Sequence, residues 1–215
     1  MIELRSTGSS PSGKATGFGP VIRRFDPCRP SHKGGNMKKV LIVFFSQAGE
    51  VYNVGMVDVG NTEIMANNIA DILKAQDHEV DLFKIEPVKP YPVEYQAVIE
   101  ASQKEMMEDA KPDFKGEVPD TSKYNAIFVG YPIWWGGAPR IVYSALEKMN
   151  LKDKWVVPFN THEGSGDAGS YNSLKEKFPT AKFLSGLAIT GRAAREAGSK
   201  EHIKDWLGEI QYLLD

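Results

Sequence analysis

The sequence predicts an α/β domain: a doubly wound, five-stranded parallel sheet with helices on both faces. Three observations carry this. Continuous apolar runs recur at residues 38–45 and 124–132, the mark of strands buried on both faces. Helix-length segments alternate with them, and alternating βα units imply a parallel sheet. The chain ends in a strongly amphipathic segment, with Ile203, Trp206, Leu207, Ile210, Leu213 and Leu214 on one stripe.

Taken in order, "KKVLIVFF" from Lys38 to Phe45 is the first strand. Thr62 to Gln76 follows as a helix, with Met65, Ile69, Ile72 and Leu73 on one face. "HEVDLFKI" alternates Val80, Leu82 and Phe83 or Ile85 and reads as the second strand. A proline-rich loop leads to a helix from about Val93 to Asp109. "YNAIFVGYP", Tyr124 to Pro132, is the third strand. Pro139 suits the first turn of the next helix, which runs to about Met149. "KWVVPFN" is the fourth strand, Ser170 to Phe178 a short helix, and "AKFLSG" the fifth strand. The last helix spans about Lys200 to Leu214. Sheets of this kind bind ligands beyond the carboxyl ends of their strands, near the switch in strand order.

The 215 residues suffice for one domain with a sizeable core. No apolar run is long enough to span a membrane. The net charge of −2 hides a basic leader: Arg5, Lys14, Arg23, Arg24, Arg29 and Lys33 stand against only Glu3 and Asp26. The remainder is mildly acidic, which argues against nucleic acid as a partner. The single cysteine, Cys28, forbids an intramolecular disulfide or a cysteine metal cluster and fits a reducing cytoplasm. The leader has no apolar core of a secretory signal. Residues 1–36 therefore read as a disordered or artificially appended extension, Met37 as the natural start, and 37–215 as the domain.

Three loops carry the chemistry. After the first strand stand Ser46 and then Gly60-Asn61-Thr62. A helix N-terminus offers backbone N–H donors and a positive dipole end to a phosphate. The Ser46 and Thr62 hydroxyls can add donors, and Gly60 permits close approach. An ordinary helix cap is the alternative for this loop alone. The lysine of a Walker loop is absent, which suits a monophosphate better than a nucleoside triphosphate. After the third strand, "YPIWWGGAP" places Trp134 and Trp135 side by side. Consecutive extended residues point opposite ways, so at most one indole continues into the core. The other can stack on a flat aromatic ligand, and Gly136 and Gly137 admit unusual backbone angles.

After the fourth strand, "NTHEGSGDAGS" contains G-x-G-x-x-G at Gly164, Gly166 and Gly169. A dinucleotide fingerprint belongs after the first strand of its unit, with an acidic residue about 20 positions on. Neither condition holds, so the glycines read as a tight loop whose N–H groups face a ligand's carbonyls. His162 and Glu163 are candidates to tune that ligand or are a solvated pair. Ser165 and His162 do not form a hydrolase site, since no nucleophile elbow exists. A phosphoacceptor receiver is excluded too, because the first and third strands end in Phe45-Ser46 and Gly130-Tyr131 rather than in acidic residues.

Together, Ser46 with Gly60-Asn61-Thr62, Gly130-Tyr131-Pro132-Ile133-Trp134-Trp135-Gly136, and Thr161-His162-Glu163-Gly164-Ser165-Gly166 make the chain resemble the flavodoxin-like FMN-binding proteins. The resemblance covers about Met37 to Leu214. It implies strand order 2-1-3-4-5 and an FMN cofactor. It also implies phosphate contacts from Ser46, Asn61 and Thr62, with Pro132, Ile133, Trp134, Trp135 and Gly136 beside the flavin ring. Thr161, Gly164, Ser165 and Gly166 would meet the pyrimidine edge, and a peptide beside Gly136 or Gly137 would be free to flip toward the flavin N5. The chain departs from the family in "AGEVYNVGMVDV", inserted inside the first loop. This segment is too apolar for a free loop and is expected to fold back as a small hairpin or flap near the phosphate or ribityl chain, leaving one site split by an insertion. The insertion puts Ala48 and Gly49 in doubt as phosphate contacts.

The function implied is electron transfer, with a redox protein or NAD(P)H as partner. The alternatives are an NAD(P)H-dependent FMN reductase of quinones or similar acceptors, and a non-catalytic binding module. No clear arginine cluster marks a nicotinamide phosphate; Arg140, Arg192 and Arg195 lie nearest the ligand end. Trp134 or Trp135 could serve a homodimer contact instead of a flavin stack.

Overall fold

A computed structural model describes residues 37–210. The expectations for residues 1–36, Cys28, Leu213 and Leu214 lie outside the described residues. Five parallel strands form the main sheet: β1 (Lys39–Phe44), β4 (Glu79–Lys84), β5 (Ala126–Pro132), β6 (Trp155–His162) and β7 (Lys182–Phe183). Their order is β4-β1-β5-β6-β7, the 2-1-3-4-5 pattern, and β8 (Leu187–Thr190) pairs with the far end of β6. A separate antiparallel ribbon pairs β2 (Gly49–Val51) with β3 (Gly55–Val57).

The alternation of β1 sorts two cores. Val40, Ile42 and Phe44 pack on one face with α1 (Asn61–Ala75) and α6 (Ser199–Ile210). Leu41, Val43 and Phe45 pack on the other with α3 (Arg140–Glu147) and Leu174 of α4 (Ser170–Lys177). The α1 face is Met65, Ala66, Ile69, Ala70 and Leu73, spaced at helical period, with Ile72 only partly buried. Ile203, Trp206, Leu207 and Ile210 are buried on α6 as the stripe predicts. Among the described residues, no helix is long and apolar enough to cross a membrane.

Several expectations need correction. Strand β4 lies at the sheet edge, so its alternation buries Val80 on one side and Ile85 on the other, while Leu82 is 41% exposed. Pro139 precedes α3 as its cap residue and does not sit in its first turn. The predicted fifth strand, Ala181 to Gly186, shrinks to the two residues of β7, and the edge is completed by β8, which lies beyond the predicted bounds. The Val156 carbonyl accepts from Leu184 N–H, so Val156 and, two residues on, Pro158 face this edge. Pro158 has no N–H to donate, and the ladder breaks there. The Ser185 carbonyl accepts from the Trp206 indole N–H at 3.2 Å. Pairing resumes with Phe159 opposite Leu187. A short helix, α5 (Gly191–Arg195), absent from the sequence reading, follows β8 with the Thr190 hydroxyl as its cap.

Helix α2 (Tyr95–Met107) differs from the others. Of its residues only Val98 and Ser102 are buried, and Met106 and Met107 are exposed. It packs beside α3 and β2 rather than on the sheet.

The edge placement of β4 has a measurable consequence. Ile42→Ala, at a fully buried position, should cost about 2–5 kcal/mol in urea unfolding. Leu82→Ala should stay within about 0.5 kcal/mol of wild type. Equal losses would show that Leu82 is a core residue after all.

Candidate functional site

The chain leaves β1 at Phe45-Ser46, runs out through the hairpin, and returns to the same point at Gly60. A Cβ on Gly60 would collide with the Gln47 carbonyl and the Ser46 hydroxyl, so only glycine allows this closure. Gly60 caps α1 but has no side chain to bond its N–H groups. Ser46 does it from across the insertion: the Glu63 N–H donates to Ser46 Oγ at 3.0 Å. The cap and the start of the ligand loop are thus the same device, and the two readings of this loop merge. Asn61 and Thr62 are buried at the helix start. The Thr62 and Thr161 hydroxyls share a hydrogen bond of 2.8 Å, tying α1 to the end of β6. Arg195 of α5 donates through Nε to Asn61 Oδ1 at 2.6 Å and through Nη2 to the Val59 carbonyl. That guanidinium holds the returning chain.

The insertion forms the hairpin β2–β3, turning through Tyr52, Asn53 and Val54. It is anchored at its base. The Glu50 N–H donates to the Val93 carbonyl at 2.8 Å. The Glu50 carboxylate accepts from the Tyr95 N–H at 2.9 Å, capping α2 where Glu94 does not. Tyr52 stacks on Tyr95 with ring centroids 5.6 Å apart and planes at 27°. The apolar residues of the insertion do not form a buried core, however: Tyr52, Met56 and Val59 are exposed.

In the second loop, Trp134 and Gly137 exchange backbone hydrogen bonds of 2.9 and 3.0 Å. The central residues Trp135 and Gly136 have φ of +52° and +76°, the signature of a type I′ turn. Trp135 carries the left-handed strain of about 1–2 kcal/mol that glycine avoids. The two indoles part as predicted. Trp134 packs edge-on against Phe45 and Tyr91, at 5.3 and 5.1 Å. Trp135 is 46% exposed, and its indole N–H donates to Ser102 Oγ at 3.0 Å.

The third loop turns inward on itself. The N–H groups of Gly164 and Gly166 donate to His162 Nδ1 at 2.9 and 3.2 Å. An Nδ1 that accepts leaves the imidazole proton on Nε2. Burial lowers the His162 pKa from its ordinary value, opposed by Asp167. Beneath, the buried Asn160 donates to the Gly166 carbonyl at 3.2 Å and accepts from the Tyr171 hydroxyl. Burial raises the pKa of Glu163, while a bond from the Gly191 N–H opposes the shift.

These loops enclose a cavity of about 290 Å³. Of the predicted residues, Ser46, Asn61, Thr62, Pro132, Ile133, Trp134, Trp135 and Thr161 line it. Gly60 lies behind Ser46, while Gly136, Gly164, Ser165 and Gly166 are not among its lining residues. The cavity also gathers residues that the sequence reading missed: Gln47, Glu50, Tyr52, and Tyr95, Val98, Ile99 and Ser102 of α2. The α2 set follows the i, i+3, i+4, i+7 spacing, a signal present in the sequence. Tyr95 has its pKa raised by burial first, then by the neighbouring Tyr52 and Glu163. The lining holds Glu50 and Glu163 and no lysine or arginine. The arrangement offers hydroxyls and a helix N-terminus at one end and aromatic surfaces at the other.

Two outcomes follow. Ser46→Ala should lower unfolding stability by about 1 kcal/mol through the lost cap, and Gly60→Ala by more, through collision. Wild-type stability for Ser46→Ala would deny the cap. His162 should appear in nitrogen-detected NMR as the Nε2–H tautomer, titrating below its ordinary 6.5. The native state favours the neutral ring. Its stabilisation is therefore present above the unfolded-state pKa and is lost as pH falls through the lower native one. Titration at or above 6.5 would contradict this.

The chain is similar to solved structures of this architecture. A candidate flavoprotein of Bacteroides eggerthii DSM 20697 is 29% identical over 81% of this chain and 98% of its own, with a TM-score of 0.64. One from Bacteroides uniformis ATCC 8492 is 23% identical over 80% and 99%, with a TM-score of 0.62. A flavoprotein of Lactobacillus acidophilus NCFM, solved in complex with FMN, is 19% identical over 73% and 95%, with a TM-score of 0.56. The last two likenesses bear on the fold alone. No curated protein sequence matches significantly. A sequence profile of the family described as Flavodoxin matches residues 39–210, nearly all of the described chain. With the strand order and the three loops in place, the chain belongs to the flavodoxin family.

Proposed function

We propose that this chain is an FMN-binding redox protein acting in electron transfer, with a redox protein or NAD(P)H as its electron partner. One observation carries the reading: a single cavity joins a hydroxyl-lined helix N-terminus to aromatic walls. FMN has the matching parts, a phosphate at one end and a flat ring at the other, and it is the cofactor of the flavodoxin family. The cavity volume lies near the lower bound of about 300 Å³ for small-molecule sites.

Ser46, Asn61 and Thr62 would hold the phosphate. The dipole of α1 stabilises negative charge there without a cation, by about 0.3–1 kcal/mol, up to about 2 where partly buried. Pro132, Ile133 and Trp135 would border the ring, and Thr161 would stand between the two ends through its bond to Thr62. Gly136, Gly164, Ser165 and Gly166 would support these contacts through loop shape.

FMN, when bound, supplies one- and two-electron chemistry; the protein sets orientation and electrostatics. Glu50 and Glu163 put two carboxyl groups on the cavity without a lysine or arginine. Such a lining opposes added negative charge on a bound cofactor and lowers its reduction potential, which favours the carrier role. Of the three arginines near the ligand end, Arg195 bonds Asn61 and Val59 and Arg140 pairs with Asp109, while Arg192 is exposed and pairs with Glu196 one turn on. They form no cluster for a nicotinamide phosphate.

The purified protein should show flavin absorbance or gain it with added FMN. It should then bleach slowly with NADPH alone in stopped flow, and should pass through a long-wavelength band on slow photoreduction. Fast direct bleaching by NADPH would make it a reductase. Failure to bind FMN would leave the binding-module reading.

A further inference from the structure

We infer that the inserted hairpin and α2 supply the outer aromatic wall of the flavin ring site, with Tyr52 and Tyr95 as the ring-contacting pair. This rests on the FMN reading and adds an assignment that the three family loops do not contain.

The second face of a flat ring needs an aromatic or apolar partner. The third loop does not provide one. Between Thr161 and Gly169 its only aromatic residue is His162, whose Nδ1 is committed to the N–H groups of Gly164 and Gly166. Trp134 is committed to Phe45 and Tyr91. The remaining aromatic lining is Trp135 from the second loop, and Tyr52 and Tyr95 from the hairpin and α2.

The Tyr pair is built in place. Glu50 bonds Val93 and Tyr95 through its backbone and its carboxylate, and Gly49 lies so close to Val93 that a Cβ would collide with the Val93 carbonyl. The ribbon is therefore fixed at its base while Tyr52, at its turn, stays 52% exposed beside the cavity. Tyr95, Val98, Ile99 and Ser102 turn one stripe of α2 toward the cavity. Helix α2 is also the helix that contributes least to the two sheet cores. Its apolar stripe has a cavity, not a core, to cover. Ser102 links this wall to the second loop by accepting from the Trp135 indole N–H.

The test titrates FMN and riboflavin into flavin-free protein, following affinity and flavin fluorescence. Wild type, Tyr52→Leu, Tyr95→Leu, Tyr52→Phe and Ser46→Ala are compared, with melting temperature as a check on folding. Riboflavin lacks the phosphate and so isolates the ring end. Each Tyr→Leu change should weaken both ligands by a similar factor, roughly 3- to 10-fold, and should relieve fluorescence quenching. Tyr52→Phe should keep the affinity. Ser46→Ala should weaken FMN and leave riboflavin little changed. Tyr→Leu variants that match wild type, or that weaken FMN alone, would overturn the wall assignment while leaving the FMN reading intact. Wild-type protein that binds neither flavin would overturn both.

Discussion

The site depends on one close approach, the return of the chain at Gly60 against Ser46 and Gln47. A parallel sheet fixes where β1 ends, and the packing of Met65, Ile69 and Leu73 on that sheet fixes the axis of α1. The remaining freedom is where α1 begins. Gly60 lets it begin in contact with the strand end, and the Ser46 hydroxyl caps it from there. The positive end of the helix is thereby placed at the carboxyl edge of the sheet, the position at which open α/β folds bind ligands. The Thr62–Thr161 bond and the Arg195 contacts then brace this point from β6 and α5.

The same closure explains how an insertion is tolerated. Residues between Gln47 and Gly60 leave and re-enter at one place, so they can lengthen without moving either strand or helix. Loop-closure entropy grows only slowly with length, about 0.6 kcal/mol per doubling. The insertion is nonetheless more than a passive bulge. Its Glu50 caps α2 as Ser46 caps α1, so one stretch after β1 organises two helix N-termini that border one cavity. An acidic side chain is the appropriate cap for the positive end of α2.

Much of this was legible in the sequence because it is local. The buried runs of β1, β5 and β6 and the stripe of α6 read directly from periodicity. The divergence of Trp134 and Trp135 was readable, although a left-handed turn at Trp135 beyond the end of β5, and not an extended strand, produces it. The hairpin was readable too, although Tyr52, Met56 and Val59 of the inserted segment stay exposed. What escaped is set by partners distant in sequence. The break between β7 and β8 depends on Pro158 facing that edge, although the proline stood in plain view in "KWVVPFN". The third-loop glycines looked like donors for a ligand, but His162 takes two of their N–H groups. Arg195 does lie at the ligand end, but its partners Val59 and Asn61, more than 130 residues away in sequence, could not be read from the sequence. The cavity face of α2 had a readable spacing, but helical periodicity alone cannot distinguish a stripe that faces a core from one that faces a cavity.

The central claim is that the first turn of α1, held by Ser46 across the insertion, is the phosphate end of the flavin site. Amide chemical shifts of isotope-labelled protein during an FMN titration test it most directly. Asn61, Thr62 and Glu63 should move strongly with FMN and much less with riboflavin, because only FMN carries the phosphate. Saturable FMN binding that leaves these three amides unmoved would contradict it.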